Sequence, residues 1–214
     1  MISRIYLKLI YFVSLSCLIG CANVYGPRTL WNKTSGKTIA ILPFEVSQII
    51  RDLPEGVTVE TLKQDEEWEG FKFQRDLYRY FLREMKSLEY PLDFIQDVNT
   101  TNLLLEQNNI HPKDYRKISY KQLAELLDVD GIIFGIVDQN LSTKGTFAGL
   151  FNGAMESDWK IEARFTLRDP KSGRLLWKYE DKAAGSAEVT AHDLSKEIMR
   201  RVPAKFPFDR YVYH

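Results

Sequence analysis

The chain has 214 residues, 44% of them apolar and 13% aromatic, which is enough to bury the core of one domain of ordinary size. Its 29 basic and 29 acidic side chains cancel, so it lacks the basic excess expected of a nucleic-acid binder. Both of its cysteines, Cys17 and Cys21, lie near the amino terminus, which leaves no disulfide framework for the rest of the chain.

Residues 1–8 carry Arg4 and Lys8 and no acid, and an apolar run over 9–19 follows, interrupted by Ser14 and Ser16. At roughly 11 residues the run is shorter than the about 20 that a spanning helix needs. The pattern is that of a signal-peptide core. Leu18-Ile19-Gly20-Cys21 resembles a lipobox, the sequence read by lipoprotein processing enzymes. Small residues ahead of the cysteine admit the peptide to the peptidase, and the thiol carries the lipid. The resemblance implies a signal peptide over 1–20, cleavage before Cys21, and diacylglyceryl and N-acyl lipid on Cys21. It implies no other cofactor. One acyl chain binds a membrane marginally, whereas two or more anchor stably at about 0.8 kcal/mol per buried methylene. Ala22, in place of Asp, favours the outer membrane with the domain facing the periplasm; the inner membrane and the cell surface are the alternatives. Cys17 would leave with the signal, so the mature chain would have no free thiol.

Residues 21–36 are polar, contain Gly26, Pro27 and Gly36, and read as a short tether. The apolar run over 38–46 predicts a strand covered on both faces, with Pro43 near its end. Residues 47–69 read as a long polar loop containing the acidic cluster Asp65, Glu66, Glu67 and Glu69. The clearest helix spans 71–88, where Leu77, Phe81, Met85 and Leu88 share a face opposite Arg75, Arg79, Arg83 and Lys86. A short strand over 92–98 and a brief helix over 101–107 follow. Ser119 and Gln122 have capping-box spacing ahead of a helix with Leu123, Leu126 and Leu127, which leads into a strand over 131–137.

The segment 157–167 has the cleanest alternation in the chain. Trp159, Ile161, Ala163, Phe165 and Leu167 point one way, and Lys160, Glu162, Arg164 and Thr166 the other, as in an antiparallel strand with one wet face. A turn at 169–173 and a strand over 174–180 complete a hairpin. A last helix runs from about 189 to 202 and is ended by Pro203. The fold class is α/β, with α+β as the alternative: a single mixed parallel and antiparallel sheet of about five strands with helices packed on it. The domain would span 37–203 and a carboxyl-terminal tail 204–214.

Three stretches together carry a family resemblance: the strand 39–44, the helix-to-strand passage 123–135 and the hairpin 169–177. They resemble a group of envelope lipoproteins whose domain is similar to the amino-terminal domain of TolB. The group includes the CsgG-like and LpoB-like proteins and a small neisserial vaccine-antigen type. That last type is most similar in length, in its short tether and in its proline- and aromatic-containing carboxyl terminus, which Phe206-Pro207-Phe208 matches here. The resemblance implies a binding or assembly protein and not an enzyme. An LpoB-type activator has a long linker that is missing here. A subunit of a CsgG-like secretion channel, the first alternative, needs two long amphipathic hairpins, and the segment 140–156 is too short to supply them.

Catalytic patterns are scarce. His111, His192 and His214 lie far apart in sequence and outside any two-histidine metal motif, and there is no Gly-x-Ser-x-Gly or phosphate loop. A periplasmic enzyme of unrecognised type is the second alternative. The expected function is protein–protein contact, within an envelope transport or surface-assembly complex. Its partners would be the membrane through the lipid, other envelope proteins or further copies of the chain, and no nucleic acid. The Gly-rich stretch with Phe147, Leu150, Phe151 and Met155 is either such a contact or a hairpin connection folded onto the domain. The tail from Phe206, with Tyr211 and Tyr213, either packs back on the domain or docks a partner.

Overall fold

The computed structural model describes residues 23–26, 36–50, 56, 58–144, 156–186 and 189–208. One mixed sheet of six strands organises it. The strands are β1 (Asn23–Tyr25), β2 (Ile39–Ile41), β3 (Glu45–Ile50), β4 (Gly131–Lys144), β5 (Glu156–Arg168) and β6 (Leu175–Ser186). The sheet order is β1-β6-β5-β4-β2, with β3 also paired to β4. β2 and β3 run parallel to β4, and the other neighbours are antiparallel. The helices are α1 (Val59–Ser87), α2 (Val98–Gln107), α3 (Tyr120–Leu127) and α4 (Ala191–Lys205).

The expected first strand is broken in two. Ile41 pairs with Ile133 and Glu45 with Ile136, so Leu42, Pro43 and Phe44 stand opposite only Phe134 and Gly135. This is a one-residue bulge in a strand that contains a proline. The Leu42 amide still donates to the Ile133 carbonyl at 3.1 Å, but the Phe44 amide turns out of the ladder and donates to the Gly70 carbonyl of α1 at 3.1 Å. The extra residue reverses the side-chain parity. Ile39 and Ile41 point into the main core before the bulge, and Phe44 and Val46 after it.

Helix α1 begins twelve residues ahead of the expected start at 71, so most of the expected 47–69 loop is strand β3 and helix. Thr58 caps it, the Thr58 and Thr61 hydroxyls each accepting the other's backbone amide, and the acidic cluster lies along the second and third turns. The early turns carry no apolar stripe, which is why periodicity missed them; the buried stripe starts at Gly70 and continues through Phe73, Leu77, Phe81 and Met85. Gly70 is a contact residue, since a Cβ there would overlap the Phe44 carbonyl oxygen.

Two cores flank the sheet. α1 and α4 cover one face, burying Ile133, Val137, Ile161, Phe165, Leu167, Trp177 and Tyr179. α2, α3 and a 3-10 turn over Pro112–Lys117 cover the other face at the β2–β4 side, around Ala40, Leu42, Ile132, Leu105, Tyr115 and Leu123. The alternation expected for β5 is present: Ile161, Ala163, Phe165 and Leu167 are buried, and Lys160, Glu162 and Arg164 are exposed. The strand expected over 92–98 is a 3-10 turn at Leu92–Phe94 and a single parallel bridge from Ile95 to Ile39. Asp97 then starts α2 by accepting from the Asn99 amide at 2.9 Å.

Pro203 does not end the last helix. α4 continues to Lys205 because proline removes only its own amide, and the Phe206 amide closes the next turn on the Val202 carbonyl at 3.1 Å. The start of the tail packs back on the domain. Phe206 and Phe208 are buried, with ring centroids 5.2 Å and 5.8 Å from Phe81, and the Trp177 indole donates to the Lys205 carbonyl at 3.0 Å.

The Gly70 contact makes a prediction whose sign opposes helix propensity. Gly→Ala inside a helix ordinarily gains about 1 kcal/mol. Gly70→Ala should instead destabilise the domain by about 1–3 kcal/mol in urea unfolding, because the new methyl forces α1 off Phe44. Trp68→Ala, at an exposed position on the same helix, should stay within about 0.5 kcal/mol.

Candidate functional site

The residues expected to carry the anchor, Leu18, Ile19, Gly20 and Cys21, lie outside the described residues, as do Phe147, Leu150, Phe151 and Met155. Their flanks are described. Two residues after Cys21, within the expected tether, the chain is strand β1, with Asn23 opposite Glu180, Val24 opposite Tyr179 and Tyr25 opposite Lys178. Gly26 follows with φ of +137°, and a Cβ there would stand 2.9 Å from the Leu176 carbonyl oxygen. Only glycine lets the chain leave the sheet so close to β6.

The stretch of β6 beside β1 is held by a buried ion pair. Asp181 is 2% exposed. Its carboxylate accepts from the Tyr179 hydroxyl at 2.7 Å, from the Lys182 amide at 2.8 Å and from Arg201 Nε of α4 at 2.8 Å. Burial, and then the bond to Asp181, push the Tyr179 hydroxyl well above the ordinary phenol range. On the opposite, open face of the sheet the charges form a ladder. Lys182 meets Glu162 at 2.6 Å, while Arg164 and Lys178 both reach Glu180 Oε1 at 2.8 Å. The bonds from Lys178 and Arg164 hold the Glu180 carboxyl below the usual range.

β4 and β5 pair without interruption from Ile132 and Arg168 out to Lys144 and Glu156. The last β6 partner of β5 is Ser186, opposite Asp158, so among the described residues the β4–β5 ribbon runs two residues past β6. The two ends of the 145–155 connection are therefore neighbours.

A cleft of about 720 Å³ lies between β3, the early turns of α1 and the Pro112–Lys117 turn. Glu66 Oε1 accepts from the Gln48 amide at 2.7 Å and so covers the open edge of β3. Arg116 clamps Glu45 at 2.6 Å, and His111 Nδ1 lies 3.6 Å from Glu67. The hydroxyl of Tyr115, in the same 3-10 turn, is buried without a hydrogen-bond partner among the described residues. Burial, then Glu45 and Glu67, push it far above the ordinary phenol range. On the other side of α1, His192 stacks on Phe73 with centroids 5.6 Å apart, and its Nδ1 lies 3.5 Å from Glu69. Two members of the acidic cluster thus each face a histidine that is remote in sequence, which no local spacing signals. No group of three or more metal-ligating side chains occurs among the described residues.

No family model and no curated protein sequence matches the chain. Solved structures similar in chain course include the PelC dodecamer from Paraburkholderia phytofirmans, 11% identical over 89% of this chain and 100% of that one, with a TM-score of 0.47. Lipoprotein GNA1162 from Neisseria meningitidis is 12% identical over 79% and 96%, with a TM-score of 0.48. The LpoB C-terminal domain from Salmonella enterica is 10% identical over 71% and 82%, with a TM-score of 0.32. The likeness is distant, and no residue role passes from these proteins to this chain.

Asp181→Ala should cost about 3 kcal/mol of stability, because it leaves Arg201 and the buried Tyr179 hydroxyl without their acceptor. Denaturant unfolding measures this, and Asp181→Asn, which keeps an acceptor, should cost less. The Glu180 carboxyl has its own pH signature. A carboxyl lowered by folding stabilises fully above its unfolded value, and that contribution disappears as pH falls through the lower folded value. Unfolding midpoints measured downward from about pH 4.3 should therefore drop less steeply in Glu180→Gln than in the parent.

Proposed function

We propose that this chain is a lipid-anchored lipoprotein of the bacterial outer membrane whose periplasm-facing domain acts by protein–protein contact and not by catalysis. Its setting in this reading is an envelope transport or surface-assembly complex. The observation that carries the reading is strand β1, which fastens the chain to the sheet two residues after Cys21. Two residues reach at most about 7 Å. A domain on so short a leash cannot search the periplasm or cross the wall, so its partners are those that come to the membrane beside it. Among the described residues no helix is long and apolar enough to cross a membrane. The outer end of the β4–β5 ribbon and the open charged face of β5 and β6 are surfaces of the kind contact requires.

The anchor is tested by Cys21→Ala. Radiolabelled palmitate should be incorporated into the parent and not into the variant, and the variant should leave the washed membrane fraction. Unchanged acylation and fractionation would overturn the lipoprotein reading. Contact is tested separately, by crosslinking the parent in native membranes followed by mass spectrometry. Discrete adducts with envelope proteins or with further copies are expected, and a persistent uncrosslinked monomer would count against the role.

A further inference from the structure

We infer that the bilayer holding the acyl chains of Cys21 meets the domain edge-on at β1, with Val24 and Tyr25 seated among the lipid headgroups. The inference rests on the lipoprotein reading and goes beyond it by assigning the surface that touches the membrane.

Covalent reach comes first. Asn23 follows Cys21 by two residues, so β1 lies within about 7 Å of the lipidated atom along the chain. No other described element is tied so closely. The second observation is exposure. Val24 is 51% and Tyr25 64% exposed, and they are consecutive residues, whereas the other exposed large apolar side chains of the described residues, such as Ile49, Trp68 and Leu103, are scattered singly. Scattered exposure is ordinary; an adjacent pair beside an attachment point is not.

Their directions then decide the orientation. Val24 stands opposite Tyr179 and Tyr25 opposite Lys178, so in an alternating strand the two side chains project from opposite faces of the sheet. A membrane lying against one face would touch only one of them. A membrane along the edge touches both. Tyrosine suits this level, since its ring accepts the apolar side of the interface and its hydroxyl the wet side.

An upright alternative, with the strands pointing into the bilayer, fails on length and charge. Asn23 is level with Glu180, which is opposite Arg164 of β5. From Arg164 the ribbon continues to Glu156, about 27 Å at the usual rise. Cys21 can recover about 7 Å of that. Lipid inserted from Cys21 would therefore draw the ribbon's outer backbone about 20 Å toward the bilayer and the exposed Lys160 with it, where charged side chains are strongly disfavoured. Depth is limited from the other direction too. Among the described residues β1 has one strand neighbour, β6, so its outer backbone groups need water or headgroups and cannot enter hydrocarbon. The edge thus rests at headgroup depth and the strands run along the membrane.

The test uses the acylated full-length product, purified from membranes and reconstituted in phosphatidylcholine vesicles. With Cys17 removed and Cys21 acylated, an introduced cysteine is the one free thiol, so Val24→Cys, Tyr25→Cys and Leu103→Cys can each carry a bimane label. A nitroxide on the lipid headgroup should quench the labels at 24 and 25 several-fold more than the label at 103, and more than a nitroxide deep in the acyl chain does. Equal quenching at 24, 25 and 103 would overturn the inference, as would strongest quenching at both sites by the deep probe. Efficient disulfide pairing of Tyr25→Cys between copies would overturn it as well, since a second chain would then occupy the edge. The mass of the amino-terminal peptide separates the two levels. A peptide without acyl chains removes the lipoprotein reading and this inference together, whereas an acylated protein with unquenched labels removes this inference alone.

Discussion

The architecture turns on the Phe44 amide, which leaves the ladder that β2 and β3 form with β4 to bond the Gly70 carbonyl of α1. Pro43 has no amide to give, and the bulge around it lets the next residue turn outward. The Phe44 ring then lies in the core in edge contact with Phe165, centroids 5.6 Å apart, while a Cβ at Gly135 would stand 2.8 Å from it. Glycine on the helix side leaves room for the Phe44 carbonyl and glycine on the sheet side for its ring, and the long helix is set down where that ring and carbonyl allow. Because the bulge reverses parity, Glu45 and Ser47 face outward after it and line the cleft under the early turns of α1. A continuous strand would have sent Glu45 toward the core.

The electrostatic balance of the sequence is resolved mostly in local pairs of little energy. The ladder of Glu162, Lys182, Arg164, Glu180 and Lys178 is exposed to partly exposed, and such pairs contribute about 0–1 kcal/mol each. It keeps the open face wet more than it holds the sheet together. Asp181 differs because it is buried. Its three donors come from β6 itself and from α4, so it ties the strand that bears β1 to the helix beneath it.

What could be read from the sequence follows where each structural cause resides. β5 was legible because one face is core and the other solvent, so two chemistries alternate residue by residue. The Ser119 cap was legible because both partners lie within three residues, and the structure has both bonds. The break at Phe44 was not, because Leu42 and Phe44 are buried on either side of the sheet and apolar residues precede and follow the bulge. The first turns of α1 were hidden by the lack of any core-facing stripe, and the close contact at Gly70 depends on Phe44, which is remote in sequence. The pairs Glu67–His111 and Glu69–His192 join residues that only the folded chain brings together. The lipobox resemblance of residues 18–21 is wholly local and needs no fold to be read.

The position of β1 connects that local signal to the rest of the domain. Three residues paired to an edge form a weak element by themselves, and a lipid pulling on Cys21 would load them directly. The strand they load is fastened well. Trp177 and Tyr179 of β6 are fully buried, Trp177 packs edge-on against Phe206 with centroids 5.2 Å apart, and Asp181 binds Arg201. Under the proposed anchoring, force or tilt imposed at Cys21 would thus pass from β1 through β6 into α4 and the Phe206–Phe208 cluster, which rests on α1. In the proposed anchored state the carboxyl-terminal aromatics, set far from Cys21 in sequence, would therefore be part of the footing that holds the domain at a fixed attitude to the lipid.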